Sequence, residues 1–251
     1  MKRLLLCLLL CACTHNDNKI RVAASSTPHA EILQEAKKNL KDQGVELKIV
    51  EIDDYIVPNR LLAEKQVDAN FFQHEPYLEL QEEKFGYNFR VLTRVHIEPL
   101  GIYSHKIKRL GDIPYGATVA IPNDPTNEAR ALYLLEDKGL IKIQKAKLPT
   151  PRDIIANPKN LKFQELEAPL LPRSLSDVTI AVIPSNFALM GKISPKEALA
   201  TESSDSPYAN IVVVRSNDHR EALEKLRREL ESKEISDFIK KKYEGAILPS
   251  H

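Results

Sequence analysis

The apolar positions of this chain follow two spacings in turn. Short apolar runs with β-branched residues predict strands, as at Ile20 to Ala24. Elsewhere apolar residues recur every three or four positions, which predicts a short helix from Arg60 to Gln66, a helix from Pro76 that ends at Gly86, and a helix from Thr126 to Lys138. The repeated order of strand and helix is typical of an α/β protein with mixed, mainly parallel sheets flanked by helices.

Two such α/β runs follow one another, and a helical tail closes the chain. We therefore predict two lobes, with lobe 1 formed by residues 20–103 and 211–251 and lobe 2 by residues 104–210. The tail would then return to lobe 1. A cleft between two lobes is a natural ligand site, because pockets favour domain interfaces and the carboxyl ends of strands.

The first residues follow a different order, which is basic, then apolar, then small. Lys2 and Arg3 precede an almost wholly apolar run from Leu4 to Leu10. This run is well short of the ~20 apolar residues that a helix needs to cross a bilayer. The order is typical of an export signal rather than of a membrane span, so we expect the folded part to work outside the cytoplasm.

The export signal resembles that of bacterial lipoproteins, in which a cysteine after a leucine and small residues becomes the lipidated first residue. We predict a signal peptide over residues 1–12, lipidation at Cys13 and a lipidated tether over residues 13–19. Cys11 is the second candidate, and a plain secretory signal is the alternative. The protein would then lie in the bacterial cell envelope, anchored to a membrane by lipid.

Composition and charge narrow the function further. The chain has 251 residues and a formal net charge of +1; loss of the signal peptide would leave 34 basic and 35 acidic side chains, a charge of −1. Such a balance does not predict a nucleic-acid partner. All three cysteines lie within the first 13 residues, so cleavage before Cys13 would leave the body without a disulfide or a thiolate nucleophile.

The stretch from Pro122 to Arg130 carries the first candidate chemistry. It follows a predicted strand and opens a predicted helix, so free backbone N–H groups and the positive end of the helix dipole should meet there. Arg130 adds a guanidinium that can bind a carboxylate with two parallel hydrogen bonds. We predict that an anionic group of a small ligand binds here. The alternative is an ordinary strand-to-helix turn with a surface arginine.

Aromatic and imidazole side chains come together at the end of a second predicted strand. Phe72 and His74 lie in the stretch Asp68 to Tyr77, and Tyr55 lies in a loop after another strand. His74 could be a metal ligand, a base or a pocket wall. No second His follows at the spacing of a metal-binding helix, so we predict neither a metal nor a cofactor.

Two amides lie where strands meet loops. Asn186 follows a buried apolar strand, and Asn210 precedes another. Asn at such a junction usually serves a turn, but two of them beside the predicted cleft could bind an α-amino or a carboxylate group. The chain has no G-x-S-x-G motif, glycine-rich phosphate loop or paired metal motif, so we predict that it is not an enzyme.

Several of these stretches, in this order, resemble the NlpA family of lipoproteins, the methionine-binding components of ABC importers. The resemblance covers essentially the whole mature chain. The matching stretches are Asp53 to Tyr55 with Pro58 and Asn59, Asp68 to His74 with Pro76 to Leu78, Glu98 and Pro99 with Gly101 to Ser104, Ala120 to Asn127 with Arg130 to Leu132, Asn157 to Asn160, and Ser206 to Asn210. It implies a two-lobed, type II periplasmic-binding-protein-like fold that closes on its ligand.

The same resemblance implies roles for individual residues. The methionine side chain would lie among Tyr55, Phe72, His74 and Tyr77, Arg130 would bind the carboxylate, Asn186 and Asn210 would bind the head group, and Glu98 is a further candidate for the ammonium. An aromatic wall suits a thioether, because sulfur favours the edges of aromatic rings.

The chain departs from the family pattern at three positions close to Arg130 and Asn186. Ala129 precedes the arginine where the family commonly has Gly. Pro184 and Phe187 replace an amide and a tyrosine near Asn186. These departures bear on which ligand is bound rather than on the class of ligand.

The resemblance implies a lipid-anchored, monomeric, extracytoplasmic substrate-binding protein. It would capture methionine in the cleft and deliver it to an ABC importer, made of a membrane permease and its ATPase. The alternatives are a binding protein for another amino acid or a short methionine peptide, or a lipoprotein adhesin or interaction module that has lost transport.

Overall fold

The computed structural model describes residues 17–203 and 207–251. The predicted signal peptide, Cys13 and the start of the tether lie outside the described residues. The described strands are β1 (Lys19–Ala24), β2 (Glu46–Glu51), β3 (Ala69–His74), β4 (Phe89–Ile97), β5 (Gly101–Tyr103), β6 (Thr118–Pro122), β7 (Lys142–Ile143), β8 (Ile154–Ala156), β9 (Lys162–Leu166), β10 (Ile180–Ile183), β11 (Ala200–Thr201), β12 (Ala209–Arg215) and β13 (Leu248–Pro249). The described α-helices are α1 (Glu31–Asp42), α2 (Val57–Ala63), α3 (Glu75–Phe85), α4 (Pro125–Asp137), α5 (Leu171–Ser174), α6 (Ser185–Met190), α7 (Glu221–Leu230) and α8 (Lys233–Tyr243).

The strands form two larger sheets, as the two α/β runs indicated. The first sheet has the order β13-β4-β12-β3-β1-β2, and the second has the order β11-β5-β10-β6-β9. A third, two-stranded sheet joins β7 and β8. The fold is therefore an α/β fold with two sheets, each flanked by helices.

Both larger sheets are mixed, and less parallel than the strand-helix repetition indicated. In the first sheet β1 pairs parallel with β2 and β3, whereas β12 pairs antiparallel with β3 and β4. In the second sheet β6 pairs parallel with β9 and β10, whereas β5 pairs antiparallel with β10 and β11. The antiparallel strands join each sheet through long connections, and the local spacing of apolar residues does not predict the direction in which such a strand runs.

Strand pairing places the crossings between the sheets close to the predicted limits. Gly101–Tyr103 pairs within the second sheet, although lobe 1 was predicted to end at residue 103. Ala209 and Asn210 pair within the first sheet, although lobe 2 was predicted to end at residue 210. The limits of the lobes themselves stay a prediction.

The first sheet owes its stability to an apolar core beneath α1, α7 and α8. Val22 of β1, Leu33 of α1 and Leu223 of α7 are fully buried in this core. Burying a side chain of this kind stabilises the fold by about 1.5–3 kcal/mol. Because α7 and α8 pack here, the helical tail returns to the first sheet, as predicted.

The individual helices agree with the apolar spacing in most places. α3 ends as predicted at Gly86, whose φ of +69° is a left-handed conformation that glycine adopts without strain. The short helix predicted from Arg60 to Gln66 is wrong in its limits, because α2 covers Val57–Ala63. Pro58 lies in its first turn, where a missing N–H costs nothing.

Within the described ranges, none of the helices combines the length and the apolar character needed to cross a membrane.

Candidate ligand-binding site

A cavity lies between the two larger sheets, and it contains about 380 Å³ of space free of protein atoms. Part of this space is open to solvent. The lining residues are His29, Tyr55, Phe72, Gln73, His74, Tyr77, Glu98, Asn127, Arg130, Pro184, Asn186 and Asn210. The cavity thus brings together all eight side chains that the sequence analysis named as candidates, Glu98 included. Whether each contacts a ligand stays a prediction.

One wall of the cavity is aromatic. The ring centroids of Tyr55, Phe72 and Tyr77 lie 6.1 Å from one another, and Phe187 lies 5.2 Å from Tyr55. The Tyr77 hydroxyl donates to the backbone oxygen of Tyr55 at 2.7 Å, which fixes the loop after β2 against the start of α3. The wall is therefore a preorganised apolar surface that suits a flexible, polarizable side chain.

His74 connects β3, α3 and α4. Its Nδ1 accepts from the backbone N–H of Tyr77 at 3.2 Å, so the proton is on Nε2, which donates to Asn127 Oδ1 at 3.3 Å. Burial, together with the nearby Arg130, lowers the pKa of His74 to about 3. A neutral ring with both nitrogens in use serves as a pocket wall and a connection, rather than as the base or metal ligand that the sequence left open.

Arg130 lies in the cavity wall and is only 4% exposed, so the surface-arginine alternative is wrong. Its guanidinium is already engaged, however. Nε and Nη2 bind the Glu202 carboxylate side-on at 3.3 and 2.6 Å, Nη2 also donates to the backbone oxygen of Glu98, and Nη1 donates to Asn127 Oδ1. The face of the guanidinium packs on the Tyr208 ring at 4.1 Å.

This arrangement limits what Arg130 can offer to a ligand. A guanidinium has five N–H groups, and the four bonds described occupy four of them. One N–H on Nη1 is left for an added acceptor. The bidentate hydrogen bond to a ligand carboxylate that the sequence suggested would therefore require displacement of Glu202.

The start of α4 also differs from the expected cluster of free N–H groups. The Asp124 side chain caps the helix, since its Oδ1 accepts from the backbone N–H of Asn127 at 3.0 Å and from the Asn127 amide at 3.0 Å. A carboxylate cap supplies negative charge at the positive end of the helix dipole. The groups that could bind an anion near this helix terminus are therefore Arg130 and its neighbours, rather than the first backbone N–H groups of α4.

The two asparagines belong to one chain of polar contacts. Asn186 Oδ1 accepts from the Tyr55 hydroxyl at 3.2 Å, and its backbone N–H donates to Glu98 Oε2 at 3.0 Å. Asn210 Oδ1 lies 2.9 Å from Nε2 of His29. Asn186 Nδ2 is buried and has no hydrogen-bond partner among the described residues. An unpartnered buried amide donor costs free energy, so this atom is a natural contact for a ligand acceptor.

A buried group of three titratable side chains lies behind this polar end. Glu98 Oε1 is 2.7 Å from His96 Nε2 and 3.4 Å from His29 Nε2. Burial lowers the pKa of His29 to about 4 and that of His96 to about 3, and it raises the pKa of Glu98. Both imidazoles are therefore neutral at pH 7.

Four lining residues were not selected from the sequence: His29, Gln73, Asn127 and Pro184. His29 follows β1 in a short π-helical turn, Ser26–Ala30, and could have been found because it lies at the carboxyl end of a parallel strand. Gln73 is held in a buried amide pair with Asn59, with N···O distances of 2.8 and 3.0 Å. No local signal distinguishes such an amide from any other in a strand.

Two sheets that enclose a cavity with an aromatic wall and a polar end define the class of two-lobed substrate-binding proteins. A nutrient binding protein from Burkholderia cenocepacia, solved bound to methionine, superposes with a TM-score of 0.89 at 42% identity, over 92% of this chain and 100% of that chain. A periplasmic substrate-binding protein of an ABC transporter from Coxiella burnetii gives a TM-score of 0.88 at 41% identity, over 92% of this chain and 100% of that chain.

The sequence comparisons identify the family. The chain belongs to the NlpA lipoprotein family, whose family model matches residues 20–251. The methionine-binding lipoprotein MetQ of Bacillus subtilis is 42% identical over 258 residues, which cover 96% of this chain and 93% of that protein. The predicted family is thus confirmed.

Proposed function

We propose that this protein is a lipid-anchored, extracytoplasmic substrate-binding protein that captures methionine and delivers it to an ABC importer. The cavity is the observation that carries the proposal. Its aromatic wall suits a thioether, and its polar end offers Arg130 Nη1 to a carboxylate, together with Asn186 Nδ2, which has no partner in the described part of the chain. Relatives named as methionine-binding lipoproteins support the same ligand.

The work of such a protein is binding rather than catalysis. The imidazole of His74 in the cavity wall is neutral, and the charge of Arg130 is paired with that of Glu202. These polar groups suit the head group of an amino acid. Closure of two lobes on the ligand would generate the form that a permease and its ATPase recognise. We propose that it acts as a monomer at the outer side of a membrane.

Calorimetry of the full-length chain in detergent tests the ligand. We expect one saturable site for methionine, and weaker binding of norleucine, which replaces the sulfur by a methylene. Each sulfur–aromatic contact contributes about 0.3–1.5 kcal/mol, so the expected difference for one contact is about 2- to 12-fold in Kd. If methionine gives no heat of binding while another amino acid or a methionine peptide binds tightly, methionine is not the ligand and the other compound takes its place.

A further inference from the structure

Three aromatic rings stack in a row on the first sheet, outside the cavity. The ring centroids of Phe85 and Tyr87 lie 5.5 Å apart, and those of Tyr87 and Phe89 lie 5.0 Å apart, with interplanar angles of 29° and 18°. The three residues occupy alternate positions where the chain passes from α3 into β4. We call Phe85, Tyr87 and Phe89 the aromatic row.

The aromatic row runs from the apolar core out to the surface. Phe89 packs against a buried cluster that contains Val67 and Leu78, and Tyr87 is half-buried. The ring of Phe85 is 48% exposed. Contiguous apolar surface of this kind is typical of an interaction site, whereas single exposed rings are ordinary.

The backbone holds the aromatic row in place. The N–H of Gly86 donates to the backbone oxygen of Glu82 at 2.9 Å, and the N–H of Phe89 donates to Glu82 Oε1 at 3.1 Å. The N–H of Ser216 donates to the backbone oxygen of Asn88 at 3.1 Å. A surface that is already ordered loses little conformational freedom when it binds.

The aromatic row lies at the same end of the first sheet as the start of the described chain. Phe89 pairs with Arg215 at the end of β12, and the turn after β12 carries Arg220, whose Nη1 donates to the backbone oxygen of Lys19. β1 and β4 are three strand spacings apart, which is about 14 Å. Cys13 precedes Lys19 by six residues, which span at most about 20 Å. A lipid on Cys13 would therefore keep this end close to the membrane surface.

Much of the positive charge at this end is balanced within the protein. Lys19 pairs with Glu46 at 2.6 Å, and both Arg21 and Arg220 pair with Asp68, at 3.2 and 2.9 Å. This end therefore offers apolar rings rather than a basic patch for anionic lipids. Aromatic rings collect at the headgroup level of a bilayer, where one side is apolar and the other is hydrated.

We propose that the aromatic row docks on the phospholipid surface to which the protein is anchored. This inference rests on the lipid anchor of the proposed function. Lys84, whose Nζ lies 5.2 Å from the centroid of Phe85, can extend towards the lipid phosphates. The cavity lies at the opposite ends of β1 and β3, about 17 Å further along the strands. Docking thus directs the cavity away from the bilayer, which suits capture of a ligand from the medium.

A single tryptophan tests the docking, because the chain has none of its own. The lipidated full-length chain with Phe85→Trp is incorporated into phosphatidylcholine vesicles with or without bromine on the acyl chains, since bromine quenches tryptophan on contact. We expect the brominated lipid to remove at least about half of the emission, because a docked ring lies at the boundary of headgroups and acyl chains. The emission should also shift to the blue relative to the same variant with Cys13→Ala, measured without vesicles.

Two further tryptophan variants are the matched controls. Asp42→Trp lies at the exposed end of α1 beside β2, which is one strand spacing from β1 and so nearer to the tether than the aromatic row. Tyr115→Trp replaces a ring that is 77% exposed, before β6 of the second sheet. Both should keep most of their emission in brominated vesicles.

Three outcomes would overturn the inference. Equal quenching of Asp42→Trp and Phe85→Trp would mean that the tether alone brings this end to the membrane. Absence of quenching in Phe85→Trp would place the aromatic row away from the lipid. A blue shift of Phe85→Trp without quenching would mean that protein rather than lipid covers the row.

Hydrogen exchange of the protein with its native Phe85 decides the question if Phe85→Trp fails to fold. The backbone amides of residues 84–90 should exchange at least about 3-fold more slowly in the vesicle-bound protein than in Cys13→Ala, and equal rates would contradict the docking. Methionine affinity should be the same in Phe85→Trp as in the unmodified protein, because Phe85 does not line the cavity. Absence of methionine binding in the unmodified protein would overturn the proposed ligand and leave the docking standing, since quenching does not depend on the ligand.

Discussion

At the scale of single residues, Arg130 shows how an internal partner changes the role of a charged group. Its side-on pair with Glu202 and its contact with Asn127 leave one N–H for a ligand. The residue type suggested a bidentate bond to the ligand, and only the three-dimensional contacts reveal that this edge is occupied. We therefore expect the ligand carboxylate to share its binding energy between Arg130 and amide donors such as Asn186.

Replacement of Arg130 by alanine tests this sharing. Loss of one charge-assisted hydrogen bond, worth about 1.5–3 kcal/mol, should weaken methionine binding by about 10- to 150-fold, as measured by calorimetry. Arg109→Ala is the control, because Arg109 is exposed and pairs only with Asp112 among the described contacts. An Arg130→Ala protein with unchanged affinity would rule out a role in binding.

The Tyr55 hydroxyl allows a finer test of the polar end. Tyr55→Phe keeps the ring in the aromatic wall but removes the donor to Asn186 Oδ1. A neutral hydrogen bond contributes about 0.5–1.5 kcal/mol, so the Kd for methionine should rise by about 2- to 12-fold. Tyr115→Phe, at an exposed ring that does not line the cavity, should leave the Kd unchanged. Tighter binding in Tyr55→Phe would contradict the arrangement.

At the scale of elements, α4 carries both Arg130, which lines the cavity, and Glu128, a buried acid whose charge is unfavourable in the folded state. Glu128 is buried one turn after the cap, and its Oε1 has no hydrogen-bond partner among the described residues. Burial, with Glu165, Asp124 and Asp153 nearby, raises the pKa of Glu128 to about 7. The folded state therefore loses stability relative to the unfolded state as the pH rises from about 4.5 through 7.

Replacement of Glu128 by glutamine should remove this loss of stability at high pH. Urea unfolding of Glu128→Gln is expected to show up to about 3 kcal/mol more stability than the unmodified protein at pH 8, since the pKa of Glu128 rises from 4.5 to about 7 and one pKa unit corresponds to about 1.4 kcal/mol. At pH 4, where the carboxyl is mostly protonated in both states, the two proteins should differ by only about 0.2 kcal/mol. An equal gain at both pH values would mean that charge is not the cause.

Local patterns predicted individual elements more reliably than their pairing. The helix before Gly86 follows from apolar spacing and one glycine, and both are local. The antiparallel entry of β12 between β3 and β4 joins residues more than 100 positions apart, so no short window contains it. For the same reason the family resemblance pointed to Arg130 and Asn186, whereas the partner Glu202 and the turn that carries His29 emerged only from the fold.

At the scale of the whole molecule, one cavity lies between the two larger sheets. The cavity takes side chains from both sheets, with Phe72 from β3 and Asn186 after β10. A ligand bound between the two sheets connects them directly, because the same molecule contacts side chains from both. A membrane anchor would keep this protein near the importer that we propose it serves.

The proposed anchor has its own test. Cys13→Ala expressed in bacteria should move the protein from the membrane fraction to the soluble fraction, because the lipidated residue is lost. Cys11→Ala is the matched control and should stay with the membrane. The reverse pattern would assign lipidation to Cys11, and retention of both variants would contradict a lipid anchor at either cysteine.

We propose that free methionine lies in this cavity with its sulfur end against the rings of Tyr55, Phe72 and Tyr77. Crystals of the protein with its ordinary methionines, grown with free selenomethionine, test it directly through the anomalous signal of selenium. We expect one strong anomalous peak within contact distance of these three rings, with the carboxylate towards Arg130. A peak elsewhere, or no peak at a saturating ligand concentration, would contradict it.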